Sequence, residues 1–390
     1  MSTTATGPAS SAKELLARLV AFDTTSANSN LDLVAFVEAY LARHGVTSVR
    51  VPSADGAKAS LFATIGPGGV GGVALSGHTD VVPVTGQSWT SDPFRLAERD
   101  GRLYGRGTTD MKGFLACVLA AVPDLVGRRL AVPIHIAFSY DEEIGCVGVR
   151  PMVAELGASL PRPRMVIVGE PTRMSVVDAH KGPARWRITV TGRAAHSSMA
   201  PLGVNAIAYA GLLLGELGRI EEELRRETHD PRFDPPHATL QVTEIQGGTA
   251  SNIVPVSCRI GFEIRALPGL DLGAIERRLT DFAERACLVE MRSIAPEAAI
   301  SIERTNEVPP FSAVAGSEVV TLALELTRTN ATHGVSYATE AGLFQAAGAP
   351  SIVVGPGDIA QAHTADEWIE VTQLESCMGL LGRLADWAER

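Results

Sequence analysis

The sequence predicts an α/β protein in which a mixed-sheet α/β/α domain is interrupted by a ferredoxin-like α+β unit. Three observations predict it. From residue 59 to 180, short apolar runs alternate with helical patterns, the rhythm of a sheet covered on both faces. After Lys181-Gly182-Pro183 the rhythm becomes β-α-β-β-α-β and is complete in itself, the order of a ferredoxin-like unit. Pro309-Pro310 then breaks regular structure, and residues 311–390 resume the first pattern. The expected domains are 1–182 together with 307–390, and 183–306 inserted between them.

Each element has a local reason. Ser11 with Glu14 forms a capping box ahead of Leu15, Leu16, Leu19 and Val20 at helical spacing. Leu33, Val34, Phe36, Val37, Tyr40 and Leu41 repeat the pattern until His44-Gly45 stops it. Residues 114–122 are apolar all round, which predicts a buried helix. In the inserted unit, alternating Trp186, Ile188 and Val190 predict a strand, 204–225 a long helix, and 239–245 and 253–265 two strands. A helix over 272–291 and a strand over 299–303 complete it.

Composition narrows the function. The 390 residues are 45% hydrophobic, enough to bury a large core and to form two domains. Against 44 acidic residues stand 34 basic ones, for a net charge of −10, which offers no basic stripe for nucleic acid or an anionic membrane. A small-molecule enzyme is expected. The five cysteines (117, 146, 258, 287 and 377) form no C-x-x-C pair, so reduced thiols in the cytoplasm are expected rather than a disulfide framework. Residues 1–9 carry no leader-like pattern, and no apolar stretch approaches the roughly 20 residues of a membrane span.

The chemistry sits at strand ends. The apolar runs 73–76, 134–139 and 165–168 each stop within three residues of His78 with Asp80, of Asp141-Glu142-Glu143, or of Glu170. A fourth run, 352–354, leads through Gly355-Pro356-Gly357 to His363. Buried carboxylates need a compensating cation, and open α/β sheets place their sites beyond the carboxyl ends of strands. Asp110, just before the buried helix, could bridge two cations through its two oxygens. With the histidines and carboxylates it gives three protein ligands per metal and open positions for water, an arrangement suited to hydrolysis. Of the neighbours Glu142 and Glu143, one could ligate while the other acts as base. Asp80 could accept the second ring proton of His78 and fix its tautomer.

The segments 76–83, 105–114, 141–145, 169–172 and 362–363 resemble, in order and spacing over nearly the whole chain, the motifs of the dizinc aminoacylase and carboxypeptidase family. That resemblance implies a catalytic domain with an inserted lid and dimerisation domain, two divalent ions (zinc, or cobalt) and a homodimer. It implies Asp110 as the bridge, His78 and Glu170 on one metal, Glu143 and His363 on the other, and Glu142 as general base. His196, in 192–198, is similar to the family histidine that stabilises the oxyanion, often from the partner subunit. Asn252 and Arg265 resemble residues holding the substrate backbone and carboxylate.

Flanking segments 177–182, 336–344 and 355–363 look most like the acetylornithine deacetylase branch. The implied reaction is hydrolysis of N2-acetyl-L-ornithine or a close N-acyl amino acid, as in arginine biosynthesis. Glu340 would then be an anionic partner for a basic substrate side chain, and the Gly355 to Gly357 loop would present N–H groups to a carboxylate. The rivals are the same amide hydrolysis on succinyl-diaminopimelate or a dipeptide, and a non-catalytic metal-binding relative. Phosphate binding by Gly105-Arg106-Gly107 is disfavoured because no G-x-x-x-x-G-K-[ST] is present.

Overall fold

Aliphatic runs without a formal charge can be buried on both faces only inside a sheet that helices cover. Val73–His78, Ile134–Ser139 and Met165–Val168 behave in this way, every residue in them being buried. The computed structural model, which describes residues 11–68 and 71–390, sets these strands side by side. Residues 1–9, for which no leader-like pattern was expected, lie outside the described residues. Val73–His78 runs parallel to both neighbours, with His78 opposite Ser139 and Ser76 opposite Val168. Ser351–Val353 adds a further parallel strand, Val353 opposite Val168. Chain segments therefore leave the sheet side by side, after residues 78, 139, 168 and 353. Ala59–Ile65 pairs antiparallel with Ile134–Ser139, and Ser48–Pro52 antiparallel with Ala59–Ile65, which makes the nine-stranded sheet mixed.

Two groups of helices pack on this sheet. Lys112–Gly127, buried on almost every side, contacts Ala12–Val20, Val371–Ala388 and the strand Val73–His78. Val149–Ala154 and Ala341–Ala346 pack on each other and on other strands. A small sheet of Ala97–Arg99, Arg102–Tyr104 and Trp368–Glu370 stands apart, with Trp368 opposite Tyr104. It brings the residues after Tyr104 next to those before Trp368. No described helix is long and apolar enough to cross a membrane.

The chain divides into two compact units, each with its own hydrophobic core. The first ends its opening segment at Asp178 and resumes with Ser312–His333 and Thr339–Arg390; the second is Ala179–Phe311 with Gly334–Ala338. These limits differ from the expected 182/183 and 306/307. Periodicity marks where strands begin, whereas side chains such as Ala179 and the His180 ring, 5.3 Å from Phe311, pack with the second unit.

In the second unit Gly182–Thr191 is central, flanked antiparallel by Ser257–Ala266 and Ala299–Glu307, and Thr239–Gly247 forms one edge. The connection order with this strand order is ferredoxin-like. Ala206–Glu227 starts where the Asn205 side chain accepts from the N–H groups of Ile207 and Ala208, two residues later than expected. The strand expected over 253–265 begins only at Ser257. Pro255 lacks an N–H for the ladder, so the preceding residues stay outside it. The helix expected over 272–291 runs as Leu272–Phe282, a π-type turn Ala283–Leu288, and Val289–Ile294.

Candidate metal centre

Five side chains from five chain segments converge in the first unit. His78 ends its strand and is buried; its Nε2 lies 3.0 Å from Asp110 Oδ1 and 3.6 Å from Glu170 Oε1. His363 Nε2 lies 3.2 Å from Asp110 Oδ2 and 3.0 Å from Glu143 Oε2. Asp110 thus turns one oxygen toward each histidine. The ligand atoms of His78, Asp110 and Glu170 all lie within 4.8 Å of one another, and so do those of Asp110, Glu143 and His363. Two three-ligand clusters sharing one carboxylate result.

The electrostatics fit a pair of divalent cations. Burial drives the Glu170 carboxyl well above its ordinary range, and the negative charge of Asp110 adds to this. Burial, again reinforced by Asp110, carries Glu143 up to about 7. Burial opposes the charged form of Asp110 too, but hydrogen bonding to His363 and His78 holds it well below the usual carboxylate range. His363 rises to about 10 through its contacts with Asp110 and Glu143. Three acids crowded into a poorly solvated space are the environment a cation relieves. Imidazole and carboxylate donors in sets of three suit zinc or a neighbouring divalent ion with room for water.

Asp80 holds the ligand loop rather than only the histidine. Its Oδ1 accepts from Glu142 N–H at 3.0 Å, and its Oδ2 accepts from Glu143 N–H at 3.3 Å and Ser26 Oγ at 2.7 Å. The expected carboxylate bond to His78 is not the closest one. His78 Nδ1 lies 2.9 Å from the Asp80 carbonyl oxygen and 3.5 Å from Oδ1, because the turn after the strand brings the backbone nearer than the side chain. Either acceptor leaves Nε2 to the metal side. Asp141, first of the acidic triplet, is turned to Lys58 instead. Glu142 has Oε1 accepting from Cys146 Sγ at 3.1 Å, and burial pushes its carboxyl up to about 8.

Other expected contacts stand differently. Glu340 is only 1% exposed and accepts from Ser76 Oγ at 3.1 Å and from Ser139 Oγ. Each oxygen thus accepts one hydrogen bond from a strand-end serine, and the side chain lies beneath the strand ends. Burial raises its carboxyl to about 7. Gly355 N–H donates to Thr172 Oγ1 at 3.2 Å and Gly357 N–H to Gln373 Oε1 at 3.1 Å. These glycines therefore do not offer the free N–H groups expected for a carboxylate; both donors are taken by side chains of other segments, and Gly357 has φ +94°.

His196, Asn252 and Arg265 belong to the second unit. The first two are adjacent there: Ser197 N–H donates to Asn252 O at 3.0 Å. His196 is exposed and its Nδ1 accepts from Ser198 N–H at 3.2 Å, capping the short helix Ser197–Leu202. Arg265 donates to Glu263 at 3.0 Å and to Ser336 O at 3.3 Å. Sequence reasoning missed Cys146, Arg106 and Glu367. The only signal was position: Cys146 stands four residues after Glu142, and Glu367 four after His363.

The family model described as peptidase family M20/M25/M40 matches residues 74–387. The chain belongs to this family. Acetylornithine deacetylase of Myxococcus xanthus is 38% identical to this M20 member over 373 residues, covering 94% of this chain and 95% of the relative. Among solved structures, aminopeptidase PepT of Bacillus cereus superposes with a TM-score of 0.76 at 20% identity, covering 97% of this chain and 98% of the other. A Bacillus subtilis protein described as a dinuclear metal binding peptidase from the M20 family gives 0.69 at 16% identity, covering 96% of each chain. At such identities the structural likeness is one of fold. The M20 chain is a metal-dependent hydrolase similar to acetylornithine deacetylases.

Proposed function

We propose that this M20 hydrolase removes the acetyl group from N2-acetyl-L-ornithine, releasing acetate and ornithine in the cytoplasm as a step of arginine biosynthesis. The observation that carries the reading is the pair of triads sharing Asp110, with Glu142 beside them and unused as a ligand. The 38% identity to an acetylornithine deacetylase over nearly the full length supports the substrate. The five cysteines are buried and unpaired, as a reducing compartment allows.

His78 and Glu170 would hold one ion, Glu143 and His363 the other, and Asp110 both. When bound, such ions, zinc or cobalt, would lower the pKa of a water and polarise the amide carbonyl. Glu142 takes a proton from that water as its oxygen bonds to the acetyl carbon. Cys146 steadies Oε1 of this base, and Asp80 fixes its backbone. His196 donates to the developing oxyanion, supplied in our reading by the partner copy of a homodimer. Glu142 then returns its proton to the departing amine as the C–N bond breaks. Asn252 and Arg265 orient the substrate's backbone and carboxylate.

Dimer formation has support in the second unit. Its edge strand Thr239–Gly247 is exposed from residue 241 onward and turns out Val242 and Ile245, at 41% and 54% exposure. Unpaired edges of this kind pair with another chain. The deciding experiment is a panel of N-acyl amino acids, succinyl-diaminopimelate and dipeptides, run on metal-reconstituted protein with detection of the released amine. Acetylornithine should give the highest kcat/KM; a preference for another member moves the substrate assignment to it. Turnover unchanged by complete metal removal would contradict the whole reading.

A further inference from the structure

The two loops that supply Asp110 and His363 are joined by a polar network with a buried centre and a half-buried end, and it touches neither metal-facing side chain. At its centre is Glu367, 0% exposed. Its Oε1 accepts from the N–H groups of Thr109 at 2.9 Å and Asp110 at 3.1 Å. Its Oε2 accepts from Gly107 N–H at 2.9 Å and from Arg106 Nη1 at 2.7 Å. Arg106, 1% exposed, also donates through Nη2 to Gln87 Oε1, and its guanidinium lies 5.1 Å from the centre of the Trp89 ring. Trp89 Nε1 donates to the same Gln87 oxygen at 3.0 Å. The chain of bonds closes on the second loop, where Gln87 Nε2 donates to His363 O at 2.8 Å. Nearby, Thr90 N–H donates to Asp366 Oδ1 at 2.9 Å.

The small sheet sets this up by placing Tyr104 opposite Trp368, so that Arg106, just after one strand, lies beside Glu367, just before the other. His363 has φ +61°, in the left-handed region that a non-glycine residue enters only at a cost. A bond to its carbonyl helps hold that conformation. Two full charges out of water need partners; here the carboxylate has four donors, while the Arg106 Nε has no partner among the described residues. Surface loops need no such device.

We infer that Glu367, Arg106 and Gln87 are positioning residues that fix the Asp110 and His363 loops relative to each other and so set the affinity of the Asp110, Glu143 and His363 site. This rests on the two-metal reading above. Groups one shell away from metal ligands typically change affinity by about 10–100-fold. Glu367→Gln keeps the side chain's shape but turns an amide N–H₂ toward donors, and Gln87→Glu keeps the acceptor for Arg106 and Trp89 while replacing the donor to the His363 carbonyl with an anionic oxygen.

The test is titration of chelated, full-length protein with cobalt, followed by the visible absorption of the bound ion and by calorimetry. Far-UV circular dichroism of the chelated variants reports folding. In folded Glu367→Gln at least one cobalt site should lose about 10–100-fold in affinity with a changed absorption band. Gln87→Glu should lose about tenfold at one site only and decides the matter if the first variant does not fold. A merely structural role would lower stability and leave cobalt affinity and spectrum at wild-type values; that result in folded variants overturns the inference. Wild-type protein that binds no cobalt overturns the metal reading instead.

Discussion

His135 makes the first unit sensitive to acid in a way the metal chemistry does not. It lies in the strand Ile134–Ser139, 1% exposed, with its ring 5.3 Å from Phe62 and Nδ1 2.9 Å from Thr64 Oγ1. Nε2 is buried without a partner among the described residues. Burial therefore lowers its pKa from 6.5 to about 4. The folded protein keeps the ring neutral where the unfolded chain protonates it, so the unfolded state binds more protons between the two values. Stability is whole above pH 6.5 and falls as pH drops toward 4, with no further loss from this group below that. Linkage gives a loss, relative to pH 7.5, of about 2 kcal/mol at pH 5 and about 3 kcal/mol at pH 4. His135→Asn keeps a partner for Thr64 and removes the titration. Urea unfolding of chelated wild type and variant should give stability curves whose difference shrinks by about those amounts as the pH is lowered. A difference constant from pH 7.5 to 5 would refute the reasoning.

Glu142→Gln should lower kcat by about 10²–10⁴-fold while metal content stays at wild-type level, measured by amine release and elemental analysis. Loss of metal together with activity would make Glu142 a ligand instead. Asp110→Asn removes the carboxylate common to both clusters, and should cut bound metal from about two ions per chain to below about one; retention of both ions would remove the bridge. His196→Ala should reduce kcat by about 10²–10³-fold with little change in metal content, and wild-type kcat would confine His196 to the capping bonds it makes with Ser198. Light scattering should give a dimer, and a fully active monomer would leave the His196 role without its partner copy.

Part of the candidate centre was legible because His78, Glu143 and Glu170 lie at or just beyond the ends of buried strands. An all-apolar run ending in His78 or leading into Glu170 carries its own address, since parallel strands in register release their next residues at a common edge. The surroundings of Glu340 were not legible, for the opposite reason. In sequence it is an acid near a loop, and only the approach of Ser76 and Ser139, 264 and 201 residues away, shows that its oxygens are already engaged. The Gly355 and Gly357 donors were likewise taken by Thr172 and Gln373, which no local pattern announces.

Hydrophobic period, turn residues and the order of segments depend on neighbours along the chain, and they suffice for the α/β class, the inserted ferredoxin-like unit and the set of ligand-bearing segments. Which oxygen faces which histidine does not. The 220 residues between Glu143 and His363, and the Glu367 carboxylate that gathers the Asp110 loop, are brought together by the packed sheet. Only tertiary structure decides such pairings, because a side chain's partner is set by where distant backbones come to rest.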